Sequence, residues 1–385
     1  MKVKIEKLVF GGRGLARNNN SIIFVEQVIP GEIVDIKLVG KKGGELYATP
    51  TKIIEPSVHR RKPECKYYTI CGGCNWQYIN YSKQVALKNE IFLDCLKRIA
   101  KLATIPEVDI VDSKEWNYRI RAQLKIDHIT KSIGFYKKRS TIVIKIDYCP
   151  LLDDKINSVL KNQDNVFKYI PERIKQLKVI AGKDSEAATF PVINTISKKL
   201  VNLQISNSRF TVSGSSFFQG NKFLIERLGL WAYPHIGGSL LADMYGGVGF
   251  FSIMLGRKFK KILIVENVEK QIDLAELNFI QNRIDQFTVV KTSVEEFFKK
   301  EQYHTDKPDC VIVDPPRPGL TKTVRKGIQA LNPRRIVYYS CNPSTQARDV
   351  GFFVHSCCYS IKNAALFDLY PNTHHMETVL LLERN

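Results

Sequence analysis

The sequence predicts a multidomain protein. An OB-like β-barrel spans residues 1–56, a mostly β central domain spans 57–212, and a Rossmann-like α/β domain spans 213–385. Three observations carry this. Short β-branched runs separated by glycine turns fill the first part. Strand-like basic stretches follow a helical interval at 77–101 and continue to about residue 212. From residue 213 apolar strands alternate with helices, the pattern of a doubly wound sheet.

A chain of 385 residues can hold two or three such units and bury a large core. Its 58 Lys and Arg against 38 Asp and Glu leave a formal charge of +20. An excess of that size points to a polyanionic partner, nucleic acid first and an anionic membrane surface second. No apolar stretch reaches the length of a bilayer span and the N-terminus is not signal-like, so a cytoplasmic enzyme is expected, monomeric by default. The nine cysteines are odd in number and unevenly placed, which argues for metal or catalytic use rather than disulfides.

In the first unit the runs Val3–Ile5, Ile22–Val25, Ile33–Val39 and Thr51–Ile54 read as strands. Gly11-Gly12-Arg13-Gly14, Pro30-Gly31 and Gly43-Gly44 read as turns between them. Residues 1–62 carry 12 basic and 6 acidic side chains, so RNA contact is the functional expectation and a solvated basic surface the plain one. Phe10-Gly11-Gly12-Arg13-Gly14 and Val28-Ile29-Pro30-Gly31-Glu32 resemble the TRAM domain of RNA-modifying enzymes.

Cys65-x5-Cys71-x2-Cys74, with Cys149-Pro150 far downstream, supplies four thiolates. Zinc sites usually present two close pairs, and here Cys71 and Cys74 form one. Three near cysteines with a distant fourth before proline fit an iron–sulfur cluster better. Gly72 and Gly73 let the backbone turn its amides towards the sulfurs. Zinc and four unlinked core cysteines are the alternatives. Spacing of five then two also departs from that of radical S-adenosylmethionine enzymes.

Val85, Leu87, Ile91, Leu93, Leu96 and Ile99 among lysines give residues 77–101 a helical face, expected to pack on the C-terminal domain. Beyond it, Arg119 and Arg121 alternate with apolar residues, and Lys137, Lys138 and Arg139 follow Phe135 and Tyr136. Cations interleaved with aromatics suit phosphate contact and base stacking, with Arg119 and Arg121 foremost; a solvated strand face is the plain reading.

In the third unit, Leu240–Gly249 is an apolar strand running into a glycine-rich turn, and Ile262–Val265 ends in Glu266. Such a turn admits a ligand close to the backbone, and the acid can accept from ribose hydroxyls. Dehydrogenases share this logic. Two further strand tips separate them: Cys310–Val313 ends in Asp314-Pro315-Pro316-Arg317, and Ile336–Tyr339 ends in Ser340-Cys341-Asn342-Pro343. A lone cysteine is more often structural, but this one is predicted at a strand tip where doubly wound sheets bind ligands.

Together Cys71-Gly72-Gly73-Cys74, Phe218-Gln219-x-Asn221, the Asp314 and Cys341 tips and Pro371-x-Thr373-x-His375-x-Glu377 resemble RNA 5-methyluridine methyltransferases over nearly the whole length. The resemblance implies a class I methyltransferase domain, S-adenosyl-L-methionine as donor and a [4Fe-4S] cluster on Cys65, Cys71, Cys74 and Cys149. It implies Cys341 as nucleophile, Glu377 as proton-abstracting base, and Gln219, Tyr245, Glu266 and Asp314 as donor-pocket residues. Gly246 and Phe250 stand where the family usually has cysteine and a polar residue, which puts a side-chain contact from position 250 to the donor in doubt. Members with TRAM and cluster act mostly on 23S rRNA, with the tRNA T-loop as the alternative.

The chemistry asks for the same two groups. Uracil C5 is a poor nucleophile until a thiolate adds at C6, and a base must then take the C5 proton so that the thiolate can leave. Two other classes remain open: a nicotinamide oxidoreductase, which leaves Cys341, Glu377 and the four cysteines without work, and a silent RNA-binding protein.

Overall fold

The computed structural model describes residues 1–18, 21–183, 186–193, 197–300 and 307–385. The barrel strands are β1 (Lys2–Lys4), β2 (Lys7–Leu8), β3 (Gly14–Asn18), β4 (Ser21–Val25), β5 (Ile33–Lys42) and β6 (Glu45–Glu55). They form one six-stranded sheet in the order β1-β5-β6-β4-β3-β2. Alternation sends Ile23, Val25, Val34, Ile36 and Ala48 into a shared core. A side chain at Gly14 would meet Val28 Cγ2 at 2.4 Å, so glycine is required there. Glu32 is fully buried and ties the barrel to the segment after β6: it accepts from Arg60 at 2.7 Å and from Ile29 N at 2.8 Å.

Helix α1 (Tyr81–Arg98) starts at Asn80, whose side chain accepts from Lys83 N at 3.1 Å, and carries Lys97 and Arg98 in its last turn. Leu87, Ile91, Phe92 and Leu96 share a core with Val350 and Phe353 of the last helix. The next strand, β7 (Val108–Val111), leaves the central region and pairs at the edge of the C-terminal sheet.

The central sheet is β10-β9-β8-β11-β12, built from β8 (Arg121–Asp127), β9 (Ser132–Tyr136), β10 (Val143–Lys145), β11 (Gln176–Ala181) and β12 (Ala187–Phe190). Two helices absent from the strand-rich expectation, α2 (Asp154–Lys161) and α3 (Gln163–Phe167), cover it. Asp153 caps α2 through Lys155 N, and Ile156, Val159 and Leu160 recur at helical spacing towards the sheet. The hairpin β13 (Leu200–Ile205) and β14 (Ser208–Ser213) leads into the last unit.

The C-terminal sheet has eight strands in the order β17-β16-β15-β18-β19-β21-β20-β7. They are β15 (Gly238–Asp243), β16 (Phe259–Glu266), β17 (Phe287–Lys291), β18 (Cys310–Val313), β19 (Arg335–Ser340), β20 (Tyr359–Phe367) and β21 (Glu377–Arg384), with β7 at the edge. Helices α4 (Ile225–Leu230), α5 (Phe250–Leu255), α6 (Glu269–Gln281), α7 (Val294–Phe297), α8 (Lys322–Leu331) and α9 (Pro343–Ser356) accompany it. Strands β15 to β19 pair in parallel and β21 runs against its neighbours. The order reverses between β15 and β18, the switch point where such sheets open a ligand crevice. Among the described residues no helix is long and apolar enough to cross a membrane.

Candidate active site

The direction of β21 builds the site. The parallel strands deliver Asp243, Glu266, Asp314 and Cys341 to one edge, and the opposed strand begins at that edge with Glu377. Ser340 pairs with Thr378, which brings the adjoining Cys341 and Glu377 side by side. Gln346 on α9 locks this register: its Nε2 donates to Tyr338 O at 2.8 Å and its Oε1 accepts from Thr378 Oγ1 at 2.8 Å.

The thiol loop is equally fixed. Asn342 caps α9 by accepting from Ser344 N at 3.1 Å, with Pro343 in the first turn. Its Nδ2 donates to Arg317 O at 3.0 Å, joining the cysteine loop to Asp314-Pro315-Pro316-Arg317. That second loop is braced by Asp349, which accepts from Leu320 N at 2.7 Å and from the Tyr338 hydroxyl at 2.8 Å.

The electrostatics follow from burial. Glu377 is 5% exposed, and burial with the nearby Asp314 raises its carboxyl well above the usual range. Burial and then Asp243 raise Asp314 in turn. Cys341 is half-buried; burial, Glu377 and Asp314 push its thiol to about 11, opposed by the Arg317 guanidinium. Two acids with raised proton affinity thus flank a thiol and one cation. Replacing Arg317 with alanine is expected to raise the thiol further and slow alkylation of Cys341 at pH 8 by roughly threefold, the cation being exposed. Peptide mapping after timed iodoacetamide treatment reads this out; unchanged labelling would remove Arg317 from the account.

Tyr370 lies against the same groups: burial raises its hydroxyl, and its titratable neighbours are Glu377, Arg119, Cys341 and Asp314. Arg119 Nε donates to Arg121 O at 2.9 Å, and the Arg121 guanidinium sits 5.3 Å from the ring of Phe217, which is half exposed. Arg121 Nε is buried without a partner among the described residues. Gln219 is buried just beyond Phe217, and Asn221 closes that stretch by donating to Leu369 O at 3.1 Å. Both arginines therefore border the crevice. Sequence alone assigns no role to Arg317 or Tyr370; Arg317 lies inside a recognised motif, while Tyr370 lies just outside one.

On the other side of Asp314 the glycine turn follows β15. Glu266 Oε2 accepts from Gly247 N at 3.0 Å and Oε1 from Val268 N at 2.8 Å, so the acid sits against the turn. Tyr245 is half-buried beside it, with burial raising its hydroxyl. Asp243 is buried at the strand tip; Ser252 donates to one oxygen at 2.6 Å and the other has no partner among the described residues. The two departures have physical reasons. A side chain at Gly246 would meet Ile264 Cγ2 at 2.1 Å. Phe250 packs between Phe210 and Phe218, within 5.5 Å of each ring centroid, and is buried in that aromatic cluster. The turn itself keeps Gly247 and Gly249 at positive φ, 54° and 82°, open to a close-lying ligand.

Cys65, Cys71, Cys74 and Cys149 line one cavity of about 270 Å³ with Tyr67, Tyr68, Gln77 and Arg119. Burial pushes the Cys74 thiol up to about 12 and Cys149 to about 11. Gly73 N donates to Cys71 Sγ at 3.4 Å, and Gln77 Oε1 accepts from Cys65 N at 3.2 Å. Gln77 Nε2 and the Tyr68 hydroxyl are buried without partners among the described residues. Among those residues no three His, Cys, Asp or Glu side chains form a group that could hold a metal ion. The His374 and His375 rings lie 4.1 Å apart and tilted by 42°, and burial lowers both, to about 4 and about 3, so they are neutral side chains.

Known proteins resemble the chain in sequence and fold, and the class they define is that of S-adenosylmethionine-dependent RNA methyltransferases. Residues 192–385 match the family model described as tRNA (Uracil-5-)-methyltransferase, and residues 1–50 match the TRAM domain. An uncharacterized RNA methyltransferase of Aquifex aeolicus is 32% identical, covering 100% of this chain and 98% of its own. The chain belongs to the tRNA (uracil-5-)-methyltransferase family and is an RNA uracil-C5 methyltransferase. A 23S rRNA (uracil(1939)-C(5))-methyltransferase of Nitrosospira multiformis is 28% identical over 99% of this chain and 98% of its own. The crystal structure of the Pyrococcus abyssi tRNA (uracil-54, C5)-methyltransferase with S-adenosyl-L-homocysteine superposes with a TM-score of 0.75 at 25% identity, covering 99% of this chain and 100% of that one.

Proposed function

We propose that the chain methylates C5 of a uridine in 23S rRNA through a covalent bond between Cys341 and C6 of the base. The observation that carries the chemistry is the convergence of Cys341, Glu377 and Asp314 at one strand edge. Bound S-adenosylmethionine would supply an electrophilic methyl group, held by Tyr245, Glu266, Asp314, Gln219 and the backbone of the glycine turn. The Cys341 thiolate adds to C6, and the electron-rich C5 would then bond to the methyl carbon as that carbon's bond to sulfur breaks. Glu377 then takes the C5 proton, the C–H pair restores the C5–C6 double bond, and the C6–S bond breaks back to Cys341. Burial gives Glu377 the raised proton affinity that removing a carbon-bound proton requires. The half-exposed Phe217 with Arg121 and Arg119 offers a stacking face and cations for a uridine turned out of its stack.

The four cysteines fit a [4Fe-4S] cluster. Cys65, Cys71, Cys74 and Cys149 line one shared cavity, as the ligands of such a cluster would, and Gln77 and Tyr68 border the same space. Methyl transfer is redox-neutral, so the group would hold this region of the chain together. Anaerobically purified protein is expected to contain iron and acid-labile sulfide, both lost in Cys74→Ser; zinc without sulfide would contradict the assignment.

The name of the Nitrosospira relative favours ribosomal RNA, and the Pyrococcus structure supports transfer RNA as the second reading. Labelled methyl transfer to unmodified 23S rRNA and unmodified tRNA in parallel decides between them. Label in 23S rRNA as 5-methyluridine is expected; label confined to tRNA would establish the second reading.

A further inference from the structure

The loop joining β20 to β21 carries Tyr370 and delivers Glu377, and its backbone is held from outside. Four consecutive carbonyls accept from four different places. Leu369 O accepts from Asn221 Nδ2 at 3.1 Å, Tyr370 O from Lys88 Nζ at 3.1 Å, and Pro371 O from the Tyr118 hydroxyl at 3.1 Å. Asn372 O accepts from Trp76 N at 3.0 Å. Of these donors Lys88 alone is charged.

Lys88 sits on α1 with no exposed surface, its Nζ 2.6 Å from Oδ1 of an equally buried Asp368. Asp368 Oδ1 also accepts from Tyr370 N at 3.3 Å. One ammonium therefore grips both sides of the turn that leaves β20. Stability alone does not account for it, because a buried ion pair is commonly replaced by apolar residues of similar volume without loss. Within the loop Thr373 also donates to the Tyr370 carbonyl, from Oγ1 at 2.8 Å and from N at 3.2 Å; what an apolar pair cannot reproduce is the tie from that carbonyl to α1.

We propose that Lys88 is a positioning residue for proton abstraction: by joining Asp368 to the Tyr370 carbonyl it aims Glu377 at C5 of the bound uracil. This rests on Glu377 being the base. The consequence is step-specific. Thiol addition and methyl transfer precede the base's task, so a misaimed Glu377 leaves methylated RNA attached to Cys341.

The test compares wild type, Lys88→Met/Asp368→Leu and Glu377→Gln in single-turnover reactions, scoring covalent enzyme–RNA complex on denaturing gels beside melting temperature and donor affinity. The double variant is expected to melt and bind donor like wild type, yet release product roughly 100-fold more slowly and accumulate adduct. Resolution of the adduct at the wild-type rate overturns the proposal. Should the apolar pair fail to fold, Lys88→Gln/Asp368→Asn, a neutral pair of shorter reach, gives the same readout. If Glu377→Gln itself accumulates no adduct, the base assignment falls first and the proposal with it; adduct in Glu377→Gln without adduct in the Lys88 variants overturns the positioning role alone.

Discussion

Cys341→Ala is expected to reduce methyl transfer to background and to abolish covalent enzyme–RNA complexes, while donor binding stays at the wild-type level. Without a thiol no nucleophile reaches C6, and C5 is then too electron-poor to accept the methyl group. The donor pocket we propose lies on the other side of Asp314, at the turn after β15, and does not use the thiol. The loop itself is held by Asn342 and Gln346 rather than by the sulfur, so the stability cost should be small, about 1 kcal/mol for a half-buried side chain. Transfer of labelled methyl to RNA, with calorimetric donor titration alongside, checks both halves.

Glu377→Gln has the second largest expected effect, and it differs in kind. Addition and methylation proceed, but the C5 proton stays, so turnover falls by roughly 10²- to 10⁴-fold, the usual contribution of a positioned base. The same variant reports on stability. Burial raises the folded-state pKa of Glu377 above its unfolded value, so the folded protein holds this proton more tightly. Wild-type stability from this group therefore declines as pH rises past the ordinary carboxylate range, until the folded-state pKa is passed. Glutamine removes that decline. Glu377→Gln should melt near wild type at pH 4 and above it at pH 8; the reverse order would contradict the buried, proton-holding carboxyl. A site that works through a buried acid gives up stability for chemistry.

Much of the site is legible in the sequence because it is written in local signals. Ile336–Tyr339 and Cys310–Val313 are uninterrupted apolar runs, and each ends in the residue that the fold delivers to the crevice. The capping side chain of Asn342 before Pro343 marks the start of α9. The four cysteines line one cavity although Cys149 is far from the others in the chain. The features that escape a sequence reading are those that depend on distant pairing. Strand β7 has only four residues and takes its meaning from Ala364–Phe367 across the sheet. Helix α2 hides among strands because its apolar positions are few. In sequence Lys88 is one more lysine on a basic helix; its partner is 280 positions away. The weakness of Glu377 as a motif has the same origin, since its environment comes from Asp314 and its aim from a loop held by Lys88 and Tyr118 of the central unit.

The central claim is that Cys341 attacks the uridine and Glu377 frees it. Glu377→Gln incubated with S-adenosylmethionine and unmodified RNA, digested with nuclease and protease and analysed by mass spectrometry, tests it directly. The account predicts a Cys341 peptide carrying one 5-methylated uridine nucleotide. No adduct, or an adduct on any other cysteine, would contradict it.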